Sequence, residues 1–344
     1  MKRVCVCAHF GEGKEMLNGQ SVKAHIITRE VEKQLGKDQV IRIDTHRGIL
    51  SIIQLAFLLL RALIICENTV IMPGENGLRV FIPMIWLYNI FLKRKIHYIV
   101  IGGWLNDYLQ NHILVRKLLY KCDYIYVETN EMKTDLESSG YQNIVILPNC
   151  KDLHILTEAE LIQNLEKPFR LCTFSRVVKE KGIEDAISAV TGINRNSENA
   201  IFTLDIYGPI DDNYRSRFEE MQEAFPEYIR YCGTVPYDKT TEIIKEYLLM
   251  LFPTHYETEG LPGTLIDAYA SGVPIVASNW KYCREFIDDE VGYIFDFKDV
   301  QALTEVLDNI KDDINAILKK KLSCIKRAHC YSSESVLKIL IRRF

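Results

Sequence analysis

The sequence predicts an α/β chain of two doubly wound parallel sheets, and three observations carry the prediction. Short apolar or β-branched runs alternate with longer helical patterns, the rhythm of parallel βαβ units. A polar stretch over residues 157–168 breaks the rhythm once, after which it resumes. The 344 residues are also about twice a typical domain of roughly 150. Apolar residues make up 48% and charged residues 26%, which excludes disorder, collagen-like repeats and a multi-span membrane protein.

Residues 4–8, Val-Cys-Val-Cys-Ala, open the first series as a strand buried on both faces. The preceding Met-Lys-Arg has the look of a signal peptide, but the apolar run ends within about seven residues at Gly11-Glu12-Gly13-Lys14. A first strand of a cytoplasmic chain is the better reading. A helix over 21–35 and a strand at 40–43 follow, then strands at 69–72, 97–101, 124–127 and 143–147. The second series places strands at 169–173, 201–207, 229–231, 248–252 and 274–277. The expected domains are therefore 1–165 and 166–328, with a terminal segment 329–344. Ligands of such sheets bind beyond the carboxyl ends of the strands, so two facing domains would enclose a cleft.

A net charge of -4 gives no sign of a nucleic-acid binder. The halves differ, however: residues 1–150 hold 18 Lys and Arg against 14 Asp and Glu, a net +4, which leaves -8 for the rest. A basic first half suits an anionic partner. None of the ten cysteines has the Cys-x-x-Cys spacing of zinc or redox sites, so they read as reduced, mostly buried thiols. The most hydrophobic segment, 49–66, is interrupted by Ser51, Gln54 and Arg61, whereas a membrane span needs about 20 apolar residues. A second run, 80–92, carries Trp86 and Tyr88 and ends in Lys93-Arg94-Lys95, a composition suited to an anionic membrane surface. Core-covering helices and a peripheral membrane face are both open readings of these runs.

Two phosphate-loop readings of Gly11-Glu12-Gly13-Lys14 fail. A dinucleotide fingerprint would need Gly where Met16 stands, and a Walker A loop would need Gly for Ala8 and Ser or Thr for Glu15. What remains is a polar loop from Gly11 to Gly19 whose amides could approach a ligand or simply connect strand to helix.

The strongest signal is His255-Tyr256-Glu257-Thr258-Glu259-Gly260-Leu261-Pro262-Gly263-Thr264-Leu265-Ile266-Asp267, continuing to Pro274. It reads as a tight turn at 260–263 after a strand, then a short helix over 264–271 stopped by Gly272. A helix N-terminus with free amides is a ready site for a diphosphate. Glu259 and Asp267 stand on either side of the turn, eight positions apart. Two such acceptors suit a ligand with hydroxyls at both ends, as a nucleotide sugar has; a solvated loop carboxylate and a helix-surface one are the plain alternative.

Residues 252–278, with Arg284-Glu285-Phe286-Ile287 and Gly292-Tyr293-Ile294-Phe295 after them, resemble the signature region of family 4 retaining glycosyltransferases. Ser175-Arg176-Val177-Val178-Lys179-Glu180-Lys181-Gly182 is similar to that family's Gly-Arg…Lys-Gly segment, Asp205-Ile206-Tyr207-Gly208 to its next strand and turn, and Pro148-Asn149-Cys150 to its Pro-Asn-Gly. Four motifs in order cover nearly the whole chain. The resemblance implies the GT-B fold, two facing Rossmann-like domains with an interdomain cleft and a C-terminal helix crossing back to the first.

It also implies roles. Arg176 and Lys181 match the pair that holds the donor diphosphate, Glu259 the carboxylate that contacts the donor sugar, and Asp267 the one that accepts from the ribose, with Asp here in place of Glu. Backbone around Gly260, Leu261, Pro262, Gly263, Thr264 and Leu265 would complete the cradle. Arg176, Lys181 and Glu259 are thus the catalytic candidates. The histidine that many members carry in the first domain is absent: Gly102-Gly103-Trp104 occupies its place, and His97 reads as structural. Gly19, Gly102, Gly103 and Trp104 are the acceptor-side candidates, with Asn106-Asp107 beside them. The implied activity moves a hexose-type sugar from a nucleoside diphosphate donor to a saccharide hydroxyl, with retention and without a metal. The implied acceptor is lipid-linked or polysaccharide, in capsule, exopolysaccharide or lipopolysaccharide assembly. The chain would be cytoplasmic, or peripheral at the inner membrane face. A nucleotide-sugar epimerase, an inactive partner subunit and, less favoured, a sugar phosphorylase are the alternatives.

Overall fold

The computed structural model describes residues 2–11, 19–45, 50–161, 166–195 and 197–344 and divides the chain into two compact units. Unit 1 is Met1–Asp152 with Tyr331–Phe344, and unit 2 is Leu153–Cys330.

Unit 1 runs β1 (Lys2–Ala8), α1 (Gly19–Leu35), β2 (Val40–Asp44), α2 (Leu50–Ile65), β3 (Cys66–Ile71), α3 (Glu75–Leu92), β4 (Lys95–Ile99), α4 (Leu105–Asn111), α5 (Ile113–Leu119), β5 (Tyr124–Val127), α6 (Asn130–Ser138) and β6 (Ile144–Ile146). Its strands pair in parallel in the order β2-β1-β3-β4-β5-β6. β1 is therefore an inner strand, which is why Val4, Cys5, Val6 and Cys7 are all buried and no polar alternation marks it. Val4, Val6 and Ala8 form one core face with Ala24, Ile27 and Val31 of α1. α2 packs on β1, β2 and β3, and α3 packs on α2 and α5.

Unit 2 runs β7 (Phe169–Phe174), α7 (Ile183–Asn194), β8 (Phe202–Tyr207), α8 (Arg215–Glu223), β9 (Ile229–Gly233), α9 (Thr240–Ile244), β10 (Leu249–Phe252), α10 (Gly263–Ala270), β11 (Ile275–Ser278), β12 (Gly292–Phe295), α11 (Val300–Asp312) and α12 (Asn315–Ala328). Its sheet is also parallel, in the order β12-β11-β10-β7-β8-β9. α7 shows why a short amphipathic helix suffices here. Ile183, Ala186, Ala189, Val190 and Ile193 recur at helical spacing and are all buried on the β7–β8 surface. The strand β12 pairs with β11 but was not expected as a strand, because four residues without flanking alternation give no periodic signal.

The last helix, α13 (Ser333–Ile341), belongs to unit 1, where Val336, Leu337 and Leu340 join the α1 core. Burying three such side chains stabilises this attachment by about 5 kcal/mol. Ser333 N donates to Lys151 O at 3.0 Å and Lys151 N to Tyr331 O at 3.1 Å, fixing the return of the chain. The division at 152 and 153 falls earlier than the expected limit of 165. Leu156 N donates to Ala270 O at 3.0 Å and the Leu161 side chain lies over Gly272, so this stretch is held by unit 2. Among the described residues, no helix is long and apolar enough to cross a membrane.

Candidate functional site

β10 is buried along its length and hands the chain to Pro253, Thr254 and His255 at its carboxyl end. This segment is clasped to residues 180–185, which follow β7. His255 N donates to Glu180 O at 2.7 Å, Thr254 Oγ1 donates to the same carbonyl at 3.4 Å, and the His255 ring meets Asp185 Oδ2 at 2.6 Å. The approach requires glycine at 182, whose φ is +66°, because a Cβ there would stand 1.8 Å from Pro253 O.

The clasp brings Lys181 and Glu259 together. Lys181 Nζ donates to Glu259 Oε2 at 2.5 Å, with the two side chains 13% and 20% exposed. The ammonium also faces the rings of Phe252 at 5.2 Å and Tyr256 at 5.1 Å. Thr254 Oγ1 lies 3.4 Å from the same carboxylate oxygen. The ammonium of such a pair can donate to an anion while the carboxylate accepts from a hydroxyl.

Four residues beyond Glu259, α10 begins at Gly263, one position earlier than expected. Pro262 precedes it in extended conformation and no side chain caps the first turn. Gly260, Leu261 and Pro262 are buried, while Gly263 and Thr264 at the tip are half-buried. Leu265 is fully buried, with its N–H returned to Pro262 O at 3.1 Å. Such a helix end carries partial positive charge from its first amides.

The Asp267 side chain is 2% exposed and accepts from Thr240 Oγ1 of α9 at 3.1 Å. One oxygen of the short carboxylate thus ties α10 to α9.

Arg176 is placed by a second clasp, between the turns after β7 and β8. Val177 N donates to Pro209 O at 2.9 Å and Asp211 N to Val177 O at 3.0 Å. Gly208 is required, since a Cβ would meet Ser175 O at 1.8 Å. The Arg176 guanidinium is 54% exposed and stands 3.8 Å from Asp211, a loose ion pair. The structure brings Lys181 and Glu259 into contact and gives Arg176 its own acidic partner instead.

In unit 1, Gly19 starts α1, and the loop expected from Gly11 lies largely in residues 12–18, outside the described residues. Gly102 adopts φ +82° and Gly103 is buried; both line a small cavity with Val100, Asn106, Val127 and Met132. The Trp104 indole donates to Ile101 O at 2.6 Å and meets Tyr108 edge-on at 5.2 Å, so much of its surface is used locally. Asp107 is exposed. His97 is fully buried between Tyr126 OH at 2.9 Å and Asn68 Oδ1 at 3.1 Å, and burial lowers its pKa to about 3. Sequence reasoning passed over three features. They are the His255–Asp185 contact, the aromatic walls Phe252 and Tyr256, and a buried Lys23–Glu128 pair at 2.5 Å in unit 1. Partners 70 and 105 positions apart share no local spacing, so no sequence signal could have found them.

Known proteins resemble this arrangement. The UDP-N-acetylglucosamine–peptide N-acetylglucosaminyltransferase GtfA subunit of Streptococcus gordonii is 30% identical over 180 residues, 51% of this chain and 34% of that protein. The amylovoran biosynthesis glycosyltransferase AmsK of Erwinia amylovora is 24% identical over 148 residues, 42% of this chain and 36% of that protein. The chain thus spans about a third of the length of these curated relatives. In fold it matches sucrose-phosphate synthase of Thermosynechococcus elongatus with a TM-score of 0.77 at 15% identity, covering 100% of this chain and 99% of that one. It matches Anabaena Alr3699/HepE, solved in complex with UDP and glucose, with a TM-score of 0.75 at 12% identity over the same shares. The fold is GT-B. The family described as glycosyl transferases group 1 matches residues 158–329, half of the chain and nearly all of unit 2, and the chain belongs to that family.

Proposed function

We propose that the protein transfers a hexose-type sugar from a nucleoside diphosphate sugar to a hydroxyl of a saccharide, with retention at the anomeric carbon. The observation that carries the reading is the 2.5 Å Lys181–Glu259 pair, four residues ahead of the uncapped start of α10. Lys181, Arg176 and the α10 amides would hold the diphosphate, and their charge would rise in value as the leaving group gains negative charge. Glu259 would accept from a sugar hydroxyl. The acceptor oxygen forms its bond to the anomeric carbon on the face that the diphosphate leaves, and its proton passes to the departing phosphate oxygen. No covalent protein intermediate and no metal are invoked, since side-chain and helix cations neutralise the phosphates. Asp267, tied to α9 through Thr240, would accept from the ribose hydroxyls of the donor.

Gly19, Gly102, Gly103 and Trp104 are assigned to the acceptor side. The resemblance to AmsK, an amylovoran biosynthesis glycosyltransferase, supports an acceptor in surface-polysaccharide assembly, lipid-linked or polymeric, on the cytoplasmic side. UDP-sugars come first among donors because the GtfA subunit, 30% identical over 180 residues, is a UDP-N-acetylglucosamine-dependent transferase by name. The test is incubation with a panel of nucleoside diphosphate sugars and saccharide acceptors, with the product read by proton NMR. A glycoside keeping the donor's anomeric configuration is expected. An inverted product would overturn retention, and donor isomerised without acceptor would replace transfer by epimerisation.

A further inference from the structure

Thirteen large apolar residues are exposed among those described, and eleven lie on one helical layer of unit 1 or at its edge, between positions 53 and 120. On α2 the exposed positions 53, 57 and 64 follow helical spacing, and on α3 positions 80, 87 and 91 do the same. Ile113 and Leu114 of α5 add a third row. Phe91 is 85% exposed and Phe57 72%, so these rings cover no core.

The three helices are tied into one surface. The Arg94 guanidinium donates to Leu63 O at 3.0 Å and Ile64 O at 3.3 Å, joining the ends of α2 and α3. Trp86 Nε1 donates to Leu118 O at 2.8 Å, and Lys121 lies 4.3 Å above the Trp86 ring, joining α3 to the end of α5. Trp86 and Arg94, which composition alone assigns to a lipid surface, are thus the fasteners of the layer. Its exposed cations are Arg61, Arg79, Lys93, Lys95, Arg116, Lys117 and Lys121. Residues 50–122 hold eight Lys and Arg against three Asp and Glu.

We propose that the α2–α3–α5 layer is the face on which unit 1 lies against an anionic lipid surface, with Phe57, Leu87 and Phe91 entering the headgroup boundary and the cations meeting lipid phosphates. Apolar rows interleaved with lysine and arginine match that partner in both respects. A second copy of the chain does not fit, because a twofold contact through this layer would set its excess of cations against the same excess on the other copy. The inference concerns unit 1 alone and stands apart from the donor site, since vesicle binding is read without sugar transfer.

The test is flotation of the full chain with phosphatidylcholine vesicles and with vesicles containing phosphatidylglycerol. Binding is expected to the anionic vesicles only, and to weaken with salt. Arg61→Gln with Lys117→Gln should lower the partition coefficient roughly 30-fold. Phe57→Ser with Phe91→Ser should lower it about tenfold or more. A cooperative thermal transition by circular dichroism at the wild-type temperature in each variant confirms that the fold survives. Equal binding to both vesicle types, no binding to either, or insensitivity to both double variants overturns the proposal. A dimer in light scattering that the phenylalanine variant dissociates, without vesicle binding, assigns the layer to a second copy instead.

Discussion

Replacing Gly182 by alanine should damage unit 2 out of proportion to the single methyl added. The residue sits at φ +66°, where a non-glycine residue costs about 1–2 kcal/mol. Its Cβ would stand 1.8 Å from Pro253 O and 2.8 Å from the carbonyl carbon, and relief to a 3.0 Å contact means a backbone shift of 1.2 Å. Pro253 leads directly into Thr254 and His255, whose bonds to Glu180 O and Asp185 hold the clasp, so retreat strains those as well. Overpacking of this kind costs about 1–3 kcal/mol, for a total of about 2–5 kcal/mol. For a unit of this size the melting temperature should fall by about 5–15 °C, read by calorimetry. Gly192 on α7 is the control: its Cβ would meet only Thr304 Cγ2 at 3.9 Å, so Gly192→Ala should gain about 0.5–1 kcal/mol. A Gly182→Ala protein as stable as Gly192→Ala would refute the reasoning.

Three further outcomes follow from the same geometry. Glu259→Gln should keep or raise nucleoside diphosphate affinity while lowering kcat/KM for transfer at least about tenfold, because it removes the charge of the sugar contact and frees Lys181 from its ion pair. His97 is neutral when folded and protonates near pH 6.5 when unfolded. The unfolded chain therefore gains the proton first, and stability is full above 6.5 and falls by about 1.4 kcal/mol per pH unit toward 3. Acid unfolding of His97→Phe should show a shallower dependence over that interval. Asp205 is 1% exposed and accepts from Arg230 Nε and Nη2 at 3.0 Å and from Tyr247 OH at 2.8 Å. Asp205→Asn should cost about 2 kcal/mol, seen as a drop of about 4–8 °C in the melting temperature of unit 2.

Much of the fold was legible because a parallel sheet covered on both faces leaves unbroken apolar runs such as 4–8 and 248–252. β12 was not, since four residues carry no period, and neither was the allegiance of residues 153–161, which two contacts to Ala270 and Gly272 decide. At the candidate site, Lys181 and Glu259 were singled out by motif spacing within their own segments. Their 2.5 Å contact, the Asp185 contact of His255 and the turning of Asp267 toward Thr240 are tertiary facts between elements far apart in the chain. Periodicity reports which face of an element is buried, and not what stands opposite it. The two apolar runs of unit 1 show the same limit: their composition was visible, but the stripes and fasteners appear only once α2, α3 and α5 lie side by side.

In the proposed donor site Lys181 and Arg176 hold a diphosphate at the start of α10. Titration calorimetry with UDP, GDP and ADP, on the wild type and on Lys181→Met and Arg176→Ala, tests it most directly. Tight binding of one nucleoside diphosphate by the wild type is expected, weakened about 10- to 100-fold in Lys181→Met, as loss of a charge-assisted bond dictates. Arg176→Ala should weaken it too, without loss of stability, because its pair with Asp211 is loose and exposed. Unchanged affinity in both variants would contradict the account and place the phosphate site elsewhere in the protein.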